Sequence, residues 1–256
     1  MDGKWSIIPD YDNLEESVML AEKYDAAFEY NDFFNPSVYS DEKELAKRIE
    51  TYKNIKRDRS NDTLHGVFID MSAVSSDPVI REYSSMRIEQ SIKIAIQLGV
   101  KGVVFHTGLI AGLDISTYIE SWLEGQETMW RGIFEKYPDI NIYMENTFEK
   151  SPKYLISLKE RLRDKDNFKL CLDYGHAILT ETPIKEWVLQ MAPYIGHMHV
   201  NDNDLKADLH MVPGEGCIDF NEFKELLSEY KVKSSVLLEI SGTEKQKRAL
   251  EYISNL

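Results

Sequence analysis

Cysteine is scarce in this sequence: Cys171 and Cys217 are the only two in 256 residues. A disulfide framework is thereby excluded as an organising principle. Cys171 sits within the apolar run Leu170-Cys171-Leu172 and is expected to be a buried free thiol, which suits the reducing cytoplasm. Long apolar runs are missing too; none approaches the roughly eighteen residues needed to span a bilayer, so no membrane partner is expected. The opening Met1-Asp2-Gly3-Lys4 lacks the basic segment and apolar core of a secretory leader. Positive charge is the minority sign, with 30 Lys and Arg against 44 Asp and Glu and a net charge of −14. That counts against a surface devoted to nucleic-acid backbones, which Lys and Arg grip by displacing counterions. A local basic groove is still compatible with an acidic protein, and carboxylates gathered around metal ions inflate the negative count. No composition shift, linker or low-complexity tract divides the chain, so residues 1–256 read as one domain.

What is present is a regular alternation. Short apolar runs bounded by turn signals read as strands over 5–8, 26–30, 63–66, 101–106, 140–145, 168–173, 195–200 and 235–240. Each is followed by an amphipathic or capped segment that reads as a helix. Pro78 in the first turn and Gly99 just past the end bound the long helix 77–98. Ser40 reads as the cap of the helix carrying Leu45, Ile49 and Tyr52, with 31–39 a polar and aromatic loop before it. Eight βα units in a chain of this length predict a single (β/α)8 TIM barrel, with an open doubly wound sheet as the alternative.

In either fold the carboxyl ends of the strands open on one face, where sites are built. His65, His106, Glu145, Asp173, His199 and Glu239 fall at or just past strand ends, separated by 41, 39, 28, 26 and 40 residues. Those are the lengths of one βα unit, so each comes from the next strand. Any one of these histidines alone reads as an ordinary hydrogen-bonded strand or loop residue; the joint pattern predicts convergence. Imidazoles with carboxylates suit zinc, manganese or iron rather than calcium. Gly175 permits a turn that adds His176, and Asp208-Leu209-His210 offers a further pair from the loop after strand seven. His197 lies two residues before His199, faces the same side one layer deeper, and reads as support or packing. The Pro213-Gly214-Glu215-Gly216 loop reads either as a plain turn or as backbone N–H groups placed for an anion. Phe33 and Phe34 either wall the site or pack, while Trp122, Trp130 and Trp187 read as helix residues packing on the barrel.

With these residues assembled, the sequence resembles the xylose isomerase-like TIM-barrel superfamily, which includes sugar isomerases and epimerases and the endonuclease IV-type abasic-site nucleases (AP endonuclease family 2). The resemblance covers residues 64–241 and rests on His65-Gly66, Phe105-His106, Glu145-Asn146, Asp173 with His176, His199-Val200-Asn201-Asp202, Asp208 with His210, Gly214-Glu215-Gly216 and Glu239. It implies one to three divalent ions, zinc, manganese or cobalt. In the epimerase branch, positions like Glu145, Asp173, His199 and Glu239 hold one ion, and Glu145 and Glu239 also move protons as the catalytic pair. In the nuclease branch, positions like His65, His106, Glu145, Asp173, His176, His199, Asp208, His210 and Glu239 share three zinc ions. Leu209 stands where the nuclease pattern favours Arg, and the 31–39 loop has no basic residue. The wording of the Asp208–His210 and Gly-Glu-Gly segments is closer to the isomerases. The expected activity is therefore metal-dependent isomerisation or epimerisation of a sugar, sugar phosphate or related polyol, with phosphodiester hydrolysis as the alternative. His176, Lys206, Gly214 and Gly216 are the expected substrate-binding residues. The expected partner is a small carbohydrate, and the outer helices are compatible with a homodimer.

Overall fold

The computed structural model describes residues 4–110 and 112–256. Met1 to Gly3, which carry most of the reading on a leader, lie outside the described residues. Eight parallel strands follow one another around a closed barrel: β1 (Trp5–Ile7), β2 (Ala27–Tyr30), β3 (Thr63–His65), β4 (Gly102–His106), β5 (Asn141–Glu145), β6 (Phe168–Asp173), β7 (Ile195–Val200) and β8 (Ser235–Leu238). Closure is made by β1 pairing with β8 through Trp5 opposite Val236 and Ile7 opposite Leu238, which rules out the open sheet. The helices are α1 (Leu14–Tyr24), α2 (Pro36–Tyr39), α3 (Glu42–Lys53), α4 (Pro78–Leu98), α5 (Ser116–Lys136), α6 (Lys153–Arg161), α7 (Tyr174–Ile178), α8 (Ile184–Met191), α9 (Phe220–Glu229) and α10 (Thr243–Ser254). None among the described residues is long and apolar enough to cross a membrane.

Local chemistry sets these boundaries. Asp77 caps α4 by accepting from the Val79 N–H at 2.9 Å, Pro78 opens its first turn, and Gly99 closes it in a left-handed conformation (φ 76°). Such a turn places a Cβ badly in other residues, which is why glycine ends the helix. The cap of α3 is Asp41, not Ser40: its carboxylate accepts from the N–H groups of Lys43 and Glu44. A charged acceptor at that position satisfies two otherwise unpaired donors and also suits the positive end of the helix dipole. The 31–39 segment is more ordered than a loop, with a 3-10 turn at Asp32–Phe34 and then α2.

The strands are buried on both faces, as a helix-wrapped parallel sheet requires. Leu170, Leu172, Met198 and Leu238 are fully buried, and each such aliphatic contributes about 1.5–3 kcal/mol relative to exposure. Trp122, Trp130 and Trp187 are buried against the barrel, and each indole N–H finds an acceptor: the Thr107 carbonyl, Gln126 Oε1 and Thr180 Oγ1 respectively. Both cysteines are free, Cys171 buried and Cys217 exposed.

Candidate metal centre

Strand register brings the chemistry together. His106 on β4 lies beside Glu145 on β5, and Asp173 on β6 beside His199 on β7. Glu145 is the hub: its Oε2 is 3.3 Å from Nε2 of both His65 and His106, and its Oε1 is 3.3 Å from His199 Nδ1. Glu239, one residue past β8, puts Oε2 3.5 Å from the same His199 Nδ1. His65, Glu145, His199 and Glu239 thus each offer one donor atom within 4.8 Å of the others, as do Glu145, Asp173 and His176, and also His176, Asp208 and His210. The nine ligand positions expected from the sequence form one connected cluster at the carboxyl end of the barrel.

The donors fit a divalent cation. Both Glu145 oxygens, Asp173 Oδ2, His199 Nδ1 and Glu239 Oε2 are buried without a hydrogen-bond partner. Each such atom costs about 1–3 kcal/mol if left alone, and five gathered together point to an ion that would satisfy them. Three ring orientations agree. His65 Nδ1 donates to the Gly66 carbonyl at 2.9 Å, His176 Nδ1 to the Asn146 carbonyl at 3.0 Å, and His210 Nδ1 to the Glu239 carbonyl at 2.7 Å. A carbonyl only accepts, so Nδ1 carries the proton and Nε2 is turned toward a carboxylate, the usual arrangement of a metal-binding imidazole. Without a cation, protons take that place. Burial, with the Glu239 and Glu145 carboxylates beside it, pushes Asp173 up to about 8. Burial works against a charged His176, yet Asp173 and Asp208 raise it to about 11; His210 rises to about 9 in the same way, through Asp208 and Glu239. Burial also works against an ionised Glu145, but the His199 and His106 imidazoles hold it well below the usual carboxylate range.

A supporting layer lies beneath. Glu29 on β2 is fully buried and was not singled out by its position in the sequence. Its Oε2 accepts from Thr63 Oγ1 at 2.6 Å and from His197 Nε2 at 3.0 Å, while its Oε1 lies 3.1 Å from His199 Nε2. Burial keeps His197 below its ordinary value, so it is neutral, and its Nδ1 accepts from the Ser235 hydroxyl at 2.6 Å. His197 is therefore support, on the far side of Glu29 from the cluster. Asn146 ties two strand ends together: its Nδ2 donates to the Asp173 carbonyl at 3.0 Å and its Oδ1 accepts from the Asp173 N–H at 2.9 Å.

Three of the expected substrate-binding residues, Gly214, Gly216 and Lys206, lie away from the cavity lining. The N–H groups of Gly214 and Gly216 donate to Asp202 Oδ2, both at 2.9 Å, so the loop wraps a buried carboxylate of this chain and those donors are not free for an external anion. A Cβ at Gly216 would run into that carboxylate, which is why glycine stands there. Lys206 is exposed and does not line the cavity over the cluster. That cavity has a volume of about 580 Å³ and is bordered by His65, His106, His176, Asp208, His210 and Glu239. Its apolar wall is Phe34, Phe68 and Phe148; Phe68 stacks on His106 at 4.2 Å, and Phe34 meets the edge of His65 at 5.6 Å. Phe33 faces the other way and packs on Tyr52. Phe68 and Phe148 lie in segments without hydrophobic periodicity, so nothing in the sequence marked them.

A closed (β/α)8 barrel with imidazoles and carboxylates gathered at its carboxyl mouth defines the class of protein. Within it, the chain belongs to the xylose isomerase-like TIM barrel family, whose model matches residues 20–256. Two uncharacterized proteins of Methanocaldococcus jannaschii are similar. MJ1614 is 27% identical over 186 residues, 70% of each chain, and MJ1311 is 30% identical over 194 residues, 69% of this chain and 66% of that one. Among solved structures, a D-tagatose 3-epimerase-like protein has a TM-score of 0.77 at 23% identity, covering 98% of this chain and 96% of that one. The TTHB071 protein from Thermus thermophilus, soaked with ZnCl2, has a TM-score of 0.76 at 21% identity, covering 100% and 98%. An L-ribulose 3-epimerase has a TM-score of 0.70 at 16% identity, covering 100% and 94%. At these identities the likeness is one of fold.

Proposed function

We propose that the protein is a divalent-metal-dependent isomerase or epimerase of a sugar or related polyol. The observation that carries this reading is the meeting of Glu145, His199 and Glu239 around unpartnered buried donor atoms beside Asp173. The fold shared with sugar epimerases supports it. Glu145, Asp173, His199 and Glu239 would hold the ion, which when bound supplies Lewis acidity toward a carbonyl and its neighbouring hydroxyl.

The remaining chemistry belongs to side chains. Glu239 lines the cavity and Glu145 is buried, each with an oxygen within 3.5 Å of His199 Nδ1, and in this reading the two act on a bound ketose as a pair. One takes the proton from the carbon next to the carbonyl, leaving an enediolate, and the other returns a proton to the opposite face or to the adjacent carbon. His176 and Asp208 border the cavity within reach of substrate hydroxyls. The Phe34, Phe68 and Phe148 wall limits water at the reacting carbon.

The test is deuterium wash-in. Candidate ketoses incubated in D₂O with Mn²⁺ or Co²⁺ should gain deuterium at the carbon next to the carbonyl, and a chelator should stop it. A second reading, phosphodiester hydrolysis by a zinc cluster, is favoured by one observation: His176, Asp208 and His210 form a further donor group that shares His176 with Glu145 and Asp173. It predicts three tightly held zinc ions per chain and chelator-sensitive nicking of an abasic duplex. One ion and no nicking would exclude it.

A further inference from the structure

Glu149 is a buried carboxylate outside the metal cluster. It is 5% exposed, lies in the loop after β5 and does not line the cavity. A carboxylate taken out of water is costly unless hydrogen bonds compensate it. Thr107 Oγ1 donates to its Oε1, and the Thr147 N–H donates to its Oε2 at 2.6 Å. The same Thr107 hydroxyl accepts from the Leu109 N–H at 3.2 Å. The Thr107 carbonyl accepts from Trp122 Nε1 at 3.1 Å and from Gln126 Nε2 at 2.8 Å, which fixes this loop to α5. One carboxylate therefore joins the loop after β4 to the loop after β5, with α5 as the anchor.

The neighbours of this clasp border the cavity. Thr107 stands between His106 and Gly108, and Thr147 and Phe148 directly precede Glu149; all four of these neighbours line the cavity. Residues 107–110 and 146–150 contain neither helix nor strand, so no ladder of backbone bonds holds them in place. Phe148 is 70% exposed, and its ring centroid lies 5.9 Å from that of His176. A segment with so few buried contacts opens locally at little cost. Hydrogen bonds to a carboxylate are roughly twice as strong as neutral ones, so the clasp is the main restraint on this wall. Both Glu149 oxygens are used on the two loops and neither on a metal donor.

We propose that Glu149 is a positioning residue for the substrate. By tying Thr107 to Thr147 it fixes the Thr147–Phe148 wall, and with the wall the seating of the ligand, without acting on the ion. The role rests on the proposed function and deepens it.

The experiment uses the full chain loaded with Mn²⁺, with D-tagatose, D-allulose and D-fructose as probes. Deuterium entry beside the carbonyl, followed by NMR, gives kcat and KM; titration calorimetry gives metal affinity; amide hydrogen exchange by mass spectrometry reports on 107–110 and 146–149. Glu149→Ala should raise KM about tenfold or more while kcat stays within about threefold and metal affinity within about twofold. The Leu109 and Thr147 amides should exchange faster in the same variant. Glu149→Gln keeps an acceptor for Thr147 and a polar partner for Thr107, and should return KM to within about threefold of the unaltered protein. Thr107→Val cuts the other end of the link, so adding it to Glu149→Ala should change KM little further. If Glu149→Ala does not fold, Thr107→Val carries the same expectations for KM, kcat and metal affinity. Three results overturn the role and leave the proposed function standing: KM unmoved although the amides are freed, kcat and metal affinity falling together with KM, or glutamine as damaging as alanine. No deuterium entering any of the ketoses with the unaltered, metal-loaded protein removes both.

Discussion

Glu29 shows where the residue scale departs from the sequence pattern. Glu145, Asp173, His199 and Glu239 were legible because each ends an apolar run at the one face where a parallel barrel is open. Glu29 lies inside a strand, in Ala27-Phe28-Glu29-Tyr30, where alternation makes an acidic residue look like an outward-facing one. Only the closed barrel shows that it points to His197 and His199. Lys206 was read as a substrate contact from its place in the loop after β7; the fold leaves it exposed and outside the cavity lining. A carboxylate behind a metal-binding imidazole orients the ring and raises its basicity, and its loss costs about 10–100-fold in metal affinity. Glu29→Gln keeps the shape and removes the charge, so titration calorimetry should show metal binding weakened within that range; unchanged affinity would remove Glu29 from the site's support. Glu239→Gln should leave the fold intact by circular dichroism while lowering deuterium exchange at least about 100-fold, as expected for a lost general acid or base.

At the scale of elements, helix ends with strong local signals were readable, as Asp77, Pro78 and Gly99 around α4 show. Short elements were not. α7 begins at Tyr174 because the Asp173 side chain accepts from the His176 N–H at 2.7 Å, and a five-residue helix has too few periodic positions to announce itself. The loop after β7 was read for its glycines, but its organiser is Asp202. That buried carboxylate accepts from the N–H groups of Asn203, Gly214, Gly216 and Ile218 at 2.8–3.0 Å. The same loop carries Asp208 and His210, the latter in a left-handed backbone conformation (φ 47°). Asp202→Ala leaves the buried N–H groups of Asn203 and Ile218 unpaired and should destabilise the fold by about 2–4 kcal/mol in urea unfolding. A cost below about 1 kcal/mol would mean that water replaces the carboxylate readily. On the outside, Glu89 of α4 accepts from Lys93, Lys136 and Tyr137, and these partners hold its carboxyl down at about 2 against an ordinary 4.5. A folded value below the unfolded one gives stability that is present above pH 4.5 and lost as the pH falls toward 2. Glu89→Gln should therefore flatten that part of the acid unfolding curve, and added salt should mimic it because the group is partly solvated.

The whole molecule is a closed barrel that holds opposing charges at one mouth. Its chain order and closure were legible from eight βα units, since parallel strands joined by helices leave few topologies open. The cavity's chemistry was legible only in part: Phe34 was open between wall and packing, while Phe68 and Phe148 carry no sequence signal and reach the cavity only through the fold. With the buried donors unpartnered, a bound divalent ion favours the folded state by mass action. Metal at about 100-fold excess over its dissociation constant should add about 2.7 kcal/mol, visible as a raised Tm that a chelator reverses. The central claim, that these carboxylates and imidazoles hold an ion and pass a proton at a sugar carbon, is tested most directly by NMR of a ketose in D₂O with the metal-loaded protein. Deuterium should enter beside the carbonyl, and should cease both on chelation and in Glu239→Gln. Firmly bound metal with no deuterium entering any ketose would contradict it.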